Sequence, residues 1–212
     1  MKTRWSHILG LCAGLSVLAQ PAQSNAFAEA VAAARAGQAA QAVQMFRRLA
    51  DEQNGPAQFN LAVLYALGSG VTQNDETALY WAWKARFSGV TKAQSLTSYL
   101  GRGSPDELLE KVQGRLQKDL LEEVNAGDKT AMLALGRAYL EVAAPADHEA
   151  ALVWFTMAAA LQVPNASKWR DVTARKLDRE TRLGAQQKAA SLYQQWCDRH
   201  GSGHPDLCSY SS

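Results

Sequence analysis

The sequence predicts an all-α fold, a solenoid of antiparallel helical hairpins stacked in one domain. The 212-residue chain is rich in alanine and sparing of β-branched residues, and its 15 Gly and 6 Pro gather mostly between stretches of helical periodicity. Those stretches repeat. Ala57, Leu61 and Tyr65 lie 74 positions before Ala131, Leu135 and Tyr139. Ala78-Leu79-Tyr80-Trp81, Val90 and Ala93 lie 73 before Ala151-Leu152-Val153-Trp154, Val163 and Ala166. The one-residue change of offset falls in a loop, where insertions are tolerated. A period of tens of residues indicates stacked helical units.

The first segment is expected to leave the mature protein. Lys2 and Arg4 precede an apolar run from Ile8 to Ala19, which Gln20-Pro21 breaks and small residues follow. This is the pattern of a secretory signal peptide, residues 1–24, with cuts after Ser24 or Ala26 both fitting the small-x-small rule. The run is short for a membrane anchor, and Cys12 lies inside it rather than at its end, against a lipoprotein. The expectation is a periplasmic or secreted protein with no stable membrane insertion once the signal is gone. Its removal takes away Lys2 and Arg4, so the 22 Lys+Arg fall by two to match the 20 Asp+Glu. A neutral chain gives no electrostatic footprint for nucleic acid. Of the 3 Cys, Cys197 and Cys208 remain, and an even count after export points to a disulfide.

Residues 25–54 read as an N-terminal hairpin, Phe27–Arg35 and Gln38–Glu52 on either side of Gly37, with alanines that let its helices approach closely. Residues 55–126, unit one, read as four helices. The first, Ala57–Leu67, sets Leu61, Leu64, Tyr65 and Leu67 on its apolar side and stops at Gly68-Ser69-Gly70, since glycine tolerates the left-handed backbone that ends a helix. The second, Asp75–Ser88, has Asn74 or Asp75 as cap and Gly89 as terminator. The third, Lys92–Leu100, is broken by Gly101-Arg102-Gly103. The fourth opens on Ser104-Pro105-Asp106-Glu107, a capping box with Pro at the first helical position. It runs to Asn125 with Leu108, Leu109, Val112, Leu116, Leu120 and Leu121 spaced for one buried face. Residues 127–200, unit two, repeat the plan near Thr130–Leu140, Asp147–Leu161, Asn165–Lys176 and Asp178–Arg199. Residues 201–212 have no periodicity and form a tail, an ordered clip or a loose end.

Residues 56–94 resemble a Sel-one-like repeat, a relative of the tetratricopeptide repeat, through Ala57, Leu61, Ala62, Tyr65, Gly68-x-Gly70-Val71, Asp75, Ala78, Trp81, Lys84-Ala85, Gly89 and Ala93. Residues 128–167 are similar to a second, degenerate copy that keeps Ala131, Leu135-Gly136, Tyr139, Ala150, Trp154, Ala158-Ala159 and Ala166. Val142-Ala143-Ala144-Pro145 replaces its glycine turn. Residues 27–54 resemble a looser hairpin of the same kind. The repeat-like stretches cover about half of the chain, and the long fourth helices are no part of the family's motif. Stacked hairpins of this sort imply a right-handed solenoid with one concave face. The resemblance also implies a non-catalytic adaptor, regulator or assembly factor that holds a protein or peptide.

Candidate chemistry is sparse. After export the histidines are His148, His200 and His204, none in a nucleophile motif, and Gly68-x-Gly70 follows a helix rather than the strand that a phosphate loop requires. Glu122-Glu123 read as solvated. The expectation is no enzyme, no cofactor and no metal. Rivals are an envelope enzyme acting on cell-wall material, which the resemblance admits, and zinc held by Cys197-x2-His200-x3-His204-x3-Cys208. That spacing is not a standard finger, and Pro205, two glycines and an oxidising compartment favour a Cys197–Cys208 disulfide.

Tyr80, Trp81 and Trp83 cannot share one narrow helical stripe. Trp81 matches the family's core aromatic. Tyr80 or Trp83 is then exposed beside Lys84 and Arg86 as a binding surface, or all three aromatics pack between hairpins. Tyr80, Trp83 and Lys84 are therefore the candidate partner-binding residues. Lys168, Arg170, Arg175 and Lys176 around Trp169 read as a solvated face with one buried indole.

Overall fold

The structure is a computed structural model that describes residues 22–208, and every regular element among them is helical. The expected signal peptide, with its apolar run and Cys12, lies outside the described residues except for its last three positions, which open the first helix. Residues 209–212 of the tail also lie outside.

The first hairpin is α1 (Ala22–Arg35) and α2 (Ala39–Asp51). Unit one holds α3 (Gly55–Leu67), α4 (Asp75–Phe87), α5 (Thr91–Gly101) and α6 (Asp106–Asn125). Unit two holds α7 (Thr130–Glu141), α8 (His148–Ala160), α9 (Ala166–Ala174) and α10 (Arg179–His200). A 3-10 turn (Gly201–Gly203) and a one-turn helix, α11 (Pro205–Cys208), close the described chain. Most elements pack mainly on their sequence neighbours, α1 on α2, α3 on α4, α7 on α8, as a helical-repeat stack requires. The long fourth helices fold back in equivalent places, α6 onto α4 and α10 onto α8.

The two repeats share their local devices. Asn74 caps α4, its side chain accepting from the Thr77 N–H at 2.7 Å, and Asp147 caps α8, accepting from the Ala150 N–H at 2.8 Å. The backbone N–H of each cap also donates to a tyrosine carbonyl one helix earlier, Asn74 to Tyr65 and Asp147 to Tyr139. The connection between them is residues 68–74 in unit one and 142–147 in unit two, one residue shorter, where the change of offset predicts it. Gly68 ends α3 with φ +64°. Gly70, at φ +73°, lies so close to α2 that a Cβ there would stand 2.2 Å from the Ala39 carbonyl carbon. This loop thus seats unit one on the first hairpin.

The hydrophobic interior falls into two clusters. Phe46, Leu61, Leu79, Trp81, Val112 and Leu116 belong to the first; Leu120, Val124, Leu135, Leu152, Met157 and Trp196 belong to the second. One helix, α6, therefore feeds both, and Phe87 and Val142 touch both. Burying apolar area on this scale drives the stacking.

Three local expectations are corrected. Leu67 is 71% exposed and Leu121 is 41% exposed, so neither joins its helix's buried face. Leu121 lies about 100° around α6 from Leu120, and Val124 completes the stripe instead. The Ser104 capping box does not form: Pro105 occupies the cap position, and the Ser104 hydroxyl donates back to the Leu100 carbonyl at 2.6 Å.

Candidate functional site

A groove crosses the seam between the repeats, and its middle is set by an ion pair. Lys84, on the inner side of α4, projects among apolar neighbours and is only 7% exposed. Its ammonium reaches the Glu123 carboxylate of α6 at 2.5 Å. A cation this buried requires such a partner. Glu123 is thus half-buried and paired rather than solvated, a correction to its sequence reading.

On one side of the pair lies a cleft of about 250 Å³, walled by Phe87, Leu120, Leu133, Ala134, Val163 and Pro164. On the other lies a cleft of about 390 Å³, with Ala50, Tyr80, Trp81 and Ala126 beside Asp51, Asp119 and Glu122. Gln53 borders both and donates to Asp128 across the seam at 3.4 Å. Ser88 fixes the floor by donating to buried Gln58 at 3.0 Å, and Gln58 in turn donates to the Ala50 carbonyl at 3.3 Å.

Of the sequence candidates, Tyr80, Trp83 and Lys84 are all buried, so the exposed-aromatic alternative gives way to packing between helices. The Tyr80 hydroxyl donates to Asp119 at 2.8 Å, with the Arg115 guanidinium over its ring at 3.8 Å. Burial above all, then the neighbouring Asp119, pushes the phenol's ionisation far above its ordinary range. Trp83 lines neither cleft. Its ring lies under Arg86 at 4.7 Å and tilts onto Phe87 at 5.6 Å. Only Lys84 and Tyr80 line the groove.

Trp83 belongs to a junction that pattern reading missed. Glu141 of α7 accepts from Arg137 at 2.6 Å and forms a second ion pair with Arg86 of α4. Arg137 also donates to the Arg86 carbonyl and lies over Phe87 and Trp169. Trp169, within the basic stretch, stacks on Phe155 at 5.6 Å, while Arg170 pairs with neighbouring Asp171. One signal was available for Lys84 itself: its unit-two counterpart is Met157, so the repeat pattern places a cation in an apolar slot. Nothing comparable marked the Gln53–Asp128 contact or the pairing of Glu141 with Arg86, which join residues remote in sequence.

At the C-terminus Cys197 and Cys208 are joined as a disulfide. Their sulfurs are bonded to each other, so neither stands as a thiolate for zinc, and His200 and His204 pack on the Trp196 ring at 5.1 and 5.2 Å. The tail is an ordered clip as far as Cys208, with the Tyr193 hydroxyl donating to the Leu207 carbonyl. The Trp196 indole N–H donates to the Val124 carbonyl of α6 at 3.1 Å, tying the last helix to the seam. A further notch of about 460 Å³ lies beside exposed Leu67 and Tyr99.

Comparison with known proteins follows the same lines. The family model for the Sel1 repeat matches residues 55–85 and 130–163, the α3–α4 and α7–α8 hairpins. Among solved structures, the chain is similar to the crystal structure of c5321, a protective antigen present in uropathogenic Escherichia coli strains displaying an SLR fold. The two are 24% identical over 79% of this chain and 42% of that one, with a TM-score of 0.29, so this chain spans less than half of that protein's length. No curated protein matches the sequence.

Proposed function

We propose that this chain, a Sel1-repeat protein, is exported to the cell envelope and works there as a non-catalytic adaptor, regulator or assembly factor. Repeats of this kind are generally protein–protein interaction modules and are typically non-catalytic. One observation carries the reading for this chain: a largely apolar groove spans the junction of two packed repeats, with the Lys84–Glu123 pair at its middle and Gln53 and Asp128 in contact across it. Preorganised concave surfaces hold partners at low ordering cost.

Holding rather than reacting also suits the titratable groups. Among the described residues, groups whose protonation the fold clearly shifts include two buried or half-buried phenols, Tyr80 and Tyr139, an exposed pair, Glu107 and Lys111, and the helix cap Asp178. They do not converge on one cleft, as an acid/base site would require. The Cys197–Cys208 disulfide supports an oxidising compartment, and with it the periplasmic or secreted location. No helix among the described residues is long and apolar enough to cross a membrane.

The test is capture from envelope extract with the purified chain as bait under crosslinking. One or a few proteins recovered in stoichiometric amounts is the expected result. No partner under crosslinking, or turnover of cell-wall fragments by the pure chain, would overturn the proposal. Sequencing the mature N-terminus tests export, with Asn25 or Phe27 expected as the first residue.

A further inference from the structure

We infer that the inter-repeat groove takes a cationic, partly apolar segment of the protein partner, a short stretch in which aliphatic residues alternate with Lys or Arg. This rests on the protein-binding function proposed above and names the chemistry of the occupant.

The two clefts are continuous around Gln53, Lys84 and Glu123, which line both. Their walls are largely apolar, so aliphatic side chains gain by leaving water there. The charged groups around them are unbalanced. Of the charged residues that line them, Asp51, Asp119, Glu122, Glu123 and Asp128 are acids and Lys84 is a base. Glu123 already neutralises Lys84 at 2.5 Å, so the lysine offers little to an incoming anion and repels an incoming cation weakly. Asp119 is shared with the Tyr80 hydroxyl and lies 3.8 Å from Arg115, while Asp128 accepts from the Thr130 N–H and hydroxyl. Asp51 and Glu122 are exposed and make no ion pair among the described residues.

An anionic segment would therefore bring its charge against the lining carboxylates, where Lys84 is already paired. A cationic one would find Asp51 and Glu122 open at the rim and apolar walls beneath. Rim charges act mainly through encounter and selection, and salt screens them. Net charge conceals this polarity, because acids and bases balance over the mature chain.

The experiment uses the full mature chain and three acetylated, fluorescein-labelled heptapeptides, Lys-Ala-Leu-Lys-Ala-Leu-Lys and its Gln-for-Lys and Glu-for-Lys counterparts. Affinity is followed by anisotropy and the site by amide chemical-shift mapping. The lysine probe is expected to bind at least about tenfold more tightly than the glutamine probe, to weaken with added salt, and to shift amides around Gln53, Glu122 and Asp128. Asp51→Asn with Glu122→Gln, both on exposed surface, is expected to cost about tenfold, while Glu149→Gln with Glu180→Gln on other helices changes nothing. Equal or stronger binding of the glutamate probe, indifference to the rim substitutions, or no binding of the lysine probe would each overturn the inference. A partner captured from envelope extract as well by the rim variant as by the parent chain leaves the function standing and removes only this assignment.

Discussion

Gly136 and Phe155 stand where unit one has Ala62 and Ala82, by the offsets of 74 and 73. A large ring in one helix is matched by the loss of a methyl in its neighbour. A Cβ on Gly136 would lie 2.5 Å from the Phe155 ring, and both residues are buried. Gly136→Ala is expected to lower stability by about 1–3 kcal/mol in urea unfolding. Combined with Phe155→Leu it should cost less than the two changes summed, since they relieve one another. Single residues were legible in the sequence wherever they obeyed the repeat. Ala57, Leu61, Ala78, Leu79 and Ala93 are all buried as their periodicity requires. Exposure near helix ends was not legible. Leu67 has the right spacing for the core, but it is the last residue of α3 and is 71% exposed.

Helix ends show how far local chemistry predicts elements. Asn74 and Asp147 act as caps from extended backbone, each side chain accepting from the N–H three residues on. Ser104 stands one residue before the cap position, which Pro105 occupies, and its hydroxyl turns back to donate to the Leu100 carbonyl. Asp178 caps α10, and the Thr181 backbone N–H beside it holds its carboxyl below the ordinary range. Its contribution is therefore present above the ordinary carboxylate range and lost as pH falls through the lowered folded value. Asp178→Asn, which still accepts at the cap, is expected to flatten the acid side of a stability-versus-pH curve, measured by thermal melts. At the other end of α10, the disulfide closes a separation of 11 residues. Cys208→Ser is expected to cost about 2–3 kcal/mol by releasing the unfolded chain, and to make residues after His200 susceptible to limited proteolysis.

Across the molecule, the stack was legible because small and apolar residues recur in register. The seam was not, because its contacts join residues that no local pattern connects. Glu141 holds two guanidiniums from different units, Arg86 and Arg137. Glu141→Gln should cost about 1.5–3 kcal/mol and raise amide exchange in α7 relative to α3, which separates a coupling role from a uniform loss of stability. The feature with the widest reach is α6, whose Val112 and Leu116 lie in one hydrophobic cluster while Leu120 and Val124 lie in the next. The duplication boundary and the packing boundary are thus out of step by a helix. Cassette exchange of these modules, cut at residue 127, would strip the second of its lid and leave the Trp196 indole without its acceptor. Any splice that preserves both halves has to travel with α6.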